Sequence, residues 1–364
     1  MSARPHLLVA LSSHGFGHLS QAAPVVNQLR ADLPGLRVTV RAAFPADQIQ
    51  RRIPEPDNIM PAADDFGMVM HDALSVDVEG SLEAYRAIHR NWDDRVMALA
   101  RTLRDARVDV VLSDIPYLTL AAATAAGIPS AGMCSLNWAE ILEHYIGPHG
   151  DPGLVAAIRH AYASANVFLQ AQPCMPMRGL PNARPIGSVA NPGRMRRDEI
   201  VERAALPADA WLVLVGMGGV PYALTLAGWP SQAHGRPLHY LVPASVSSTH
   251  PNAVAEDKVG IEYADLLASV DLVITKPGYG TFTEAAVAGV PVLYVERRDW
   301  PETQALTDWL GGVAHCAEID AVALRLGRFA PEIEALLARG RSTPVGPSGN
   351  VEGAQLVREL LGKG

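Results

Sequence analysis

At 364 residues the chain is long enough for two domains of ordinary size. Its composition, 49% hydrophobic and 19% charged, is that of a globular protein and excludes a disordered one. A net charge of −8 and an isoelectric point near 5.8 argue against a general nucleic-acid binder.

Strand-like apolar runs alternate with helix-like segments along the whole chain, the pattern of a parallel α/β sheet. The first strand is expected at 6–12, followed by the glycine-containing turn Ser13–His18 and a helix over 19–33. A second strand follows at 37–42, and residues 81–107 carry one long amphipathic helical pattern. The run at 108–113 predicts a buried strand ending at Asp114, then a helix over 118–127 and a strand at 129–133. After a last strand-like run at 166–170, the stretch 171–193 is dense in proline and glycine and reads as a linker. A second α/β set opens with a strand at 211 and continues through HYLVPA at 239–244 and DLVIT at 271–275. A terminal helix is expected over 350–361. The chain thus reads as two Rossmann-like, doubly wound domains, 1–185 and 186–349, with the C-terminal helix, 350–364, packing back on the first.

Lysine occurs only at Lys258, Lys276 and Lys363. The three cysteines, Cys134, Cys174 and Cys316, show no CxxC pattern and fit buried thiols in a reducing compartment. No window approaches the roughly 18 apolar residues of a membrane span. With no leader-like start either, a cytoplasmic location is expected.

Three glycine-rich turns follow expected strands: Ser13–His18, Gly216–Gly219 and Lys276–Gly280. None is a P-loop or a dinucleotide fingerprint, and close strand–helix packing alone can require one such turn. The stretch Asp271–Gln304 says more. It reads as a strand (DLVIT), a glycine turn (KPGYG), a helix (TFTEAAVAG) and a strand (PVLYV). Backbone N–H groups in that turn, with the start of the helix, make an anion site. Acidic and amide side chains follow the second strand, where an α/β sheet presents its ligand-facing ends. A phosphate site beside partners for sugar hydroxyls suggests a nucleotide sugar.

The segment PGYGTFTEAAVAGVPVLYV resembles the donor-binding unit of the GT-B glycosyltransferases, nearest to MurG-type and UDP-glycosyltransferase-like enzymes. SHGFGHLSQ and IPSAGMCSLNWAEI are similar to the amino-terminal half of predicted transferases related to the plant L-arabinokinase N-terminal domain. The resemblance implies a GT-B fold with an interdomain cleft. It further implies inverting, metal-independent transfer of a sugar from a nucleotide-diphosphate donor, UDP-linked, to an acceptor hydroxyl. No cofactor beyond that co-substrate is implied, and no DxD motif sits at a strand end. Alternatives on the same fold are a UDP-sugar hydrolase, a 2-epimerase or a non-catalytic nucleotide-sugar-binding module. The sugar, the acceptor and the oligomeric state are not legible. A peripheral membrane contact, as in MurG-like enzymes with lipid acceptors, stays open, although no strongly basic amphipathic helix supports it.

In the families resembled, the glutamate matching Glu284 accepts hydrogen bonds from the ribose hydroxyls, a task suited to a group with acceptors only. Thr281 and Glu284 also spell a T-x-x-E capping box. By the same resemblance Gly278, Tyr279, Gly280 and Thr281 supply N–H groups to the diphosphate, and Lys276 adds a point charge. Glu302, Gln304 and Asp299 take sugar hydroxyls, or else form a polar loop with a helix cap. Gly216, Gly218 and Gly219 approach the phosphates from the other side. Ile261, Glu262 and Tyr263 contact the uracil, and Trp300 shapes the donor pocket or simply packs.

His14 and His18 have the spacing of a metal pair on a helix. The intervening glycines favour a turn and no third ligand follows at useful spacing, so no metal is expected. A histidine at the mouth of the first strand can instead act as general base through its neutral imidazole. The family's G-x-G-H pattern aligns the catalytic histidine with His18; His14 is the fallback, and a histidine that caps the turn is the plainer alternative. Asp114 can orient and support an imidazolium, or cap the next helix. Asn137 and Trp138 are expected at an acceptor pocket. Asp64–Asp65 and Asp93–Asp94 lack a partner motif and read as solvated pairs.

Overall fold

The structure, a computed structural model, describes residues 4–72, 75–147, 150–218, 224–246 and 248–362. Its contacts divide into two units, Met1–Val189 with Ser348–Gly364, and Ala190–Pro347.

In the first unit β1 (His6–Leu11) leads through α1 (Phe16–Asp32) to β2 (Arg37–Ala42), α2 (Ala46–Arg52) and β3 (Asn58–Pro61). Next come α3 (Val78–His89), α4 (Trp92–Asp105), β4 (Val110–Asp114), α5 (Tyr117–Ala126), β5 (Ser130–Cys134) and α6 (Trp138–Ile146). The sheet closes with α7 (Pro152–Ala163), β6 (Val167–Ala171) and β7 (Ala183–Ile186). All seven strands run parallel in the order β3-β2-β1-β4-β5-β6-β7. Every residue of β1, β4, β5 and β6 is buried, because helices cover both faces of a parallel sheet; hence their unbroken rather than alternating sequences. One core joins Leu8 of β1 and Val111 of β4 to Leu99 and Leu103 of α4 and Leu118 and Ala122 of α5. β1 has β2 on one side and β4 on the other, so the connections leaving β1 and β4 diverge. Open α/β sheets bind their ligands at such a reversal, beyond the carboxyl ends of the strands.

The second unit holds α8 (Arg197–Arg203), β8 (Trp211–Gly216), β9 (Gln232–Ala233), β10 (Arg236–Val242), β11 (Ala253–Ala255), α9 (Glu256–Val259) and α10 (Tyr263–Ser269). It continues through β12 (Leu272–Thr275), α11 (Tyr279–Ala288), β13 (Val292–Val295), α12 (Thr303–Val313), β14 (Cys316–Ile319), α13 (Ala321–Leu326) and α14 (Ala330–Arg339). Its parallel order is β11-β10-β8-β12-β13-β14, with β9 antiparallel to the start of β10. The order reverses again, here between β8 and β12. Finally α15 (Gly349–Leu361) belongs to the first unit, where it packs on α1.

Several expectations are corrected. The single helix over 81–107 is two, because Asn91 leaves helical geometry at φ −125°, ψ 40° while the apolar period runs on across the break. His89 and Trp92, on either side, stack at 4.7 Å and both stack on Tyr117. β7 lies inside the proposed linker; it is an edge strand, where Pro185 forfeits no interior ladder bond. α1 and α11 start three and two residues earlier than expected, drawing Gly17 and Gly280 into helix. Cys134 alone is fully buried; Cys174 and Cys316 are intermediate, and none of the three is in a disulfide. Among the described residues no helix is long and apolar enough to cross a membrane.

Gly289 ends α11 in left-handed geometry, φ +69°, and a Cβ there would lie 2.4 Å from the Ser342 carbonyl oxygen. The left-handed conformation alone costs a residue with a Cβ about 1–2 kcal/mol, and the contact adds to it. Gly289→Ala should therefore lower unfolding stability by more than that in urea titrations; an unchanged midpoint would refute the close approach.

Candidate active site

In the first unit the Ser12 N–H donates to the Asp114 carbonyl oxygen at 2.8 Å, tying the loop after β1 to the end of β4. That loop carries His14 and enters α1, whose first turn holds His18. His18 Nδ1 lies 2.9 Å from Asp114 Oδ1, and the residues are 7% and 0% exposed. Cys134, at the end of β5, places Sγ 3.8 Å from the same nitrogen. Trp138, the first residue of α6, sets its ring edge-to-face with His14 at 5.1 Å and His18 at 5.7 Å. Its indole N–H donates to Asp65 Oδ2 at 2.8 Å, while the Ser13 N–H donates to Asp65 Oδ1 at 3.2 Å.

Asp114 does not cap α5, whose N-cap is Pro116. Burial pushes its carboxyl up to about 6, opposed by the hydrogen bond and charge of His18 and by the Cys134 thiol. Burial likewise raises Asp65, opposed by Ser12, His18 and Trp138. With Asp114 accepting from Nδ1–H, the His18 lone pair sits on Nε2, the arrangement of an oriented general base. His14 is differently engaged: its Nδ1 accepts from the Met68 N–H at 3.4 Å.

Asn137 and Trp138 are both buried. Asn137 serves α6 as N-cap, its Oδ1 accepting from the Glu140 N–H at 2.9 Å, so one of the two expected acceptor residues is engaged in capping the start of that helix. The Asp64–Asp65 pair is not solvated; both are buried. Asp64 takes Arg41 in a fork at 2.6 and 2.7 Å and Thr119 at 3.1 Å. Asp65 is the member of this cluster that sequence reasoning missed, because its partners lie 52 and 73 residues away. Asp93 and Asp94 are exposed in the first turn of α4, where the helix dipole favours them. No third ligand follows the histidines at useful spacing in the sequence, but in the fold Asp114, expected beside the imidazole, and Cys134, which was not, reach His18 from two adjacent strand ends.

In the second unit the register Thr275↔Gly216 sets the ends of β12 and β8 side by side. Gly218, at φ +77°, passes so close to Lys276 that a Cβ would lie 3.1 Å from its Cε. A Cβ on Gly216 would lie 2.8 Å from the Tyr263 hydroxyl, which is itself 3.4 Å from Thr281 Oγ1. Gly216, Gly218, Tyr263, Lys276 and Thr281 are thus brought together. Gly218 opens the segment that continues into Gly219, which lies outside the described residues.

α11 has Gly278 as N-cap with no side-chain cap, so Tyr279, Gly280 and Thr281 form its first turn. N–H groups there have no intrahelical acceptor and carry the positive end of the helix dipole. Thr281 is therefore inside the helix, no T-x-x-E box forms, and Glu284 lies buried one turn on. Arg297 holds its guanidinium 4.2 Å over the Trp300 ring, and the Trp300 indole N–H donates to Glu302 Oε2 at 3.2 Å. Glu302 is the N-cap residue of α12 but makes no capping bond. Burial, then the charge of Arg297, lowers the Lys276 ammonium to about 8, against the opposing pull of Glu302. Arg297 was missed because an arginine in ERRDW carries no motif; its burial is the signal. Ile261 is buried and Glu262 is the exposed N-cap of α10. Asp299 and Gln304 are exposed, and the Gln304 amide donates to Asp308 at 2.7 Å.

No family model matches the chain. Over 370 residues, 98% of its length, it is 26% identical to L-arabinokinase of Arabidopsis thaliana, and it spans 34% of that protein's length. Among solved structures it is similar to Arabidopsis thaliana UGT89C1 complexed with UDP, at TM-score 0.62 and 16% identity over 98% of this chain and 100% of that one. MurG of Acinetobacter baumannii aligns at TM-score 0.52 and 16% identity over 98% and 99% of the two chains. The glycosyltransferase SnogD from Streptomyces nogalater does so at 0.52 and 19%, over 98% and 99%. The architecture is that of the GT-B glycosyltransferases, two Rossmann-like α/β halves, and the resemblance read from the sequence holds at the level of fold.

Because the folded protein binds a proton on Asp114 more tightly than the unfolded chain does, the stability this adds is full below about 3.8 and is lost as pH rises to about 6. Asp114→Asn removes that dependence. The wild-type stability minus that of the variant should fall by on the order of 3 kcal/mol between pH 4 and pH 7 in urea titrations. A difference constant with pH would mean the carboxyl titrates normally.

Proposed function

We propose that the protein is a glycosyltransferase that moves a sugar from a nucleotide-diphosphate donor, UDP-linked, to an acceptor hydroxyl. The reaction is direct displacement at the anomeric carbon with inversion, independent of metal and of any cofactor beyond the nucleotide sugar. The observation that carries this is the buried His18–Asp114 pair at the reversal point of the first sheet. UGT89C1, similar in fold, has been solved with UDP and with UDP-L-rhamnose, which supports a nucleotide-sugar donor here.

In this reading residues 1–185 bind the acceptor near Trp138 and Asn137, and His18 Nε2 takes the proton of the attacking hydroxyl. Asp114 holds the imidazole and stabilises the imidazolium. The donor belongs to residues 186–349. Its diphosphate meets the first turn of α11, the glycines at 216 and 218, and Lys276, donors that stabilise the leaving group as charge develops. Glu284 takes the ribose; Glu302, with Asp299 and Gln304, takes the sugar; Ile261, Glu262 and Tyr263 take the base. The enzyme works in the cytoplasm.

Calorimetric titration with UDP, TDP and GDP tests the donor half. One diphosphate should bind, and Glu284→Ala should abolish or greatly weaken that binding; no binding by any of the three sinks the assignment. UDP affinity should fall as pH passes about 8 and Lys276 loses its proton, by up to about tenfold per pH unit. Lys276→Met should bind weakly but evenly across that range; a parallel fall in both proteins would exclude Lys276.

His18→Asn should retain UDP binding yet lose turnover by roughly 10²–10⁴-fold, the usual contribution of a general base. Wild-type turnover should decline below about pH 6, as Asp114 takes a proton and no longer supports an imidazolium. Product analysis with the cognate donor separates transfer from hydrolysis or epimerisation. Binding with no turnover of any donor would point to a nucleotide-sugar-binding module.

A further inference from the structure

Cys134 has no part in the proposed transfer, yet its sulfur lies beside the His18–Asp114 pair. His18 Nδ1, Cys134 Sγ and an Asp114 carboxylate oxygen all fall within 4.8 Å of one another, and all three residues are buried. Sγ is 3.8 Å and Oδ1 2.9 Å from the nitrogen. The second oxygen, Asp114 Oδ2, is buried with no hydrogen-bond partner among the described residues. A carboxylate oxygen in that state is costly unless something occupies its lone pairs.

Zinc bonds of about 2.0–2.1 Å to nitrogen, 2.3 Å to sulfur and 2.0–2.2 Å to oxygen set tetrahedral donors roughly 3.3–3.6 Å apart. The nitrogen–oxygen distance is a few tenths of an ångström shorter than that span and the nitrogen–sulfur distance a few tenths longer, while all three donors stay within 4.8 Å of one another. A nitrogen–oxygen–sulfur set favours a thiophilic cation over magnesium or calcium, which prefer oxygen. We infer that His18 Nδ1, Asp114 and Cys134 form a three-ligand site for a thiophilic divalent cation, zinc, with water in the fourth position.

Ligation has a defined proton balance. The Cys134 thiol releases its proton to solvent as the S–Zn bond forms. The proton on His18 Nδ1 gives way to the metal and, carried by solvent, is replaced by one on Nε2. One proton leaves per ion bound. Zinc thus holds His18 in the tautomer opposite to the one Asp114 sets, and Nε2 has no lone pair left for an acceptor proton. The ion is an off-switch for the base; this consequence, unlike the site, rests on the transfer chemistry proposed above.

The test is a zinc titration of tag-free protein against a chromogenic chelator, paired with cobalt absorption spectra. Wild type should bind one zinc, with affinity rising about tenfold per pH unit near neutrality as the thiol proton is displaced. Cys134→Ala should weaken binding by on the order of 100-fold or more. The cobalt form should show a thiolate-to-metal charge-transfer band that Cys134→Ala and Cys134→Ser both lack. Serine preserves the side-chain size, so a packing defect in the alanine variant does not decide the result. Equal zinc affinity in all three proteins, or wild-type cobalt spectra without a thiolate band, would overturn the site. These readouts need no turnover. Turnover that persists with zinc bound would leave the site standing and remove His18 from the role of base.

Discussion

Leu11 pairs with Asp114 across the first sheet, and from that register the candidate catalytic cluster follows. Because β1 and β4 run parallel and adjacent at the reversal of strand order, the chain leaving Leu11 must pass over the carboxyl end of β4. It is anchored there by the Ser12 N–H on the Asp114 carbonyl. α1 then starts within four residues and turns His18 back over the strand end. One residue of slippage would send the Asp114 side chain to the opposite face of the sheet, away from His18. The hydrogen bond between them is thus a product of register as much as of side-chain chemistry.

The two units solve opposite electrostatic problems at equivalent places. At the reversal in the first sheet, carboxylates are buried: Asp114 holds His18, Asp65 holds Trp138, and Asp64 is neutralised by Arg41. Burial favours the protonated forms of Asp65 and Asp114, so that pair is matched to handling a proton rather than holding an anion. At the reversal in the second sheet the residues gathered are glycines, hydroxyls, a helix N-terminus and the cations Lys276 and Arg297. Those groups supply positive potential in a partly dehydrated setting, where an anionic ligand gains most.

The long parallel strands were legible because burial on both faces makes each an uninterrupted apolar run. The donor-like βαβ unit was legible because its glycines, threonine and glutamate are close in sequence and their spacing carries the geometry. Elsewhere the local signal misled. Pro185 concealed an edge strand, and the continuous apolar period over 81–107 hid the break at Asn91. The T-x-x-E pattern spelled a cap that the earlier start of α11 does not use. Asp65 looked like half of a solvated pair, and its burial depends on Ser13 and Trp138, both remote from it in sequence.

By itself, then, the sequence determined the α/β class, the alternation of elements and the glycine turn that opens α11, because each is encoded by residues within a turn or two of one another. Only the tertiary structure decided which carboxylate meets His18, that Cys134 lies beside them, and that Lys276 sits against Gly218 near Arg297 and Glu302. Those contacts join strand ends and loops far apart in the chain. They form because parallel pairing and strand order set register over long separations, and no local propensity records that register.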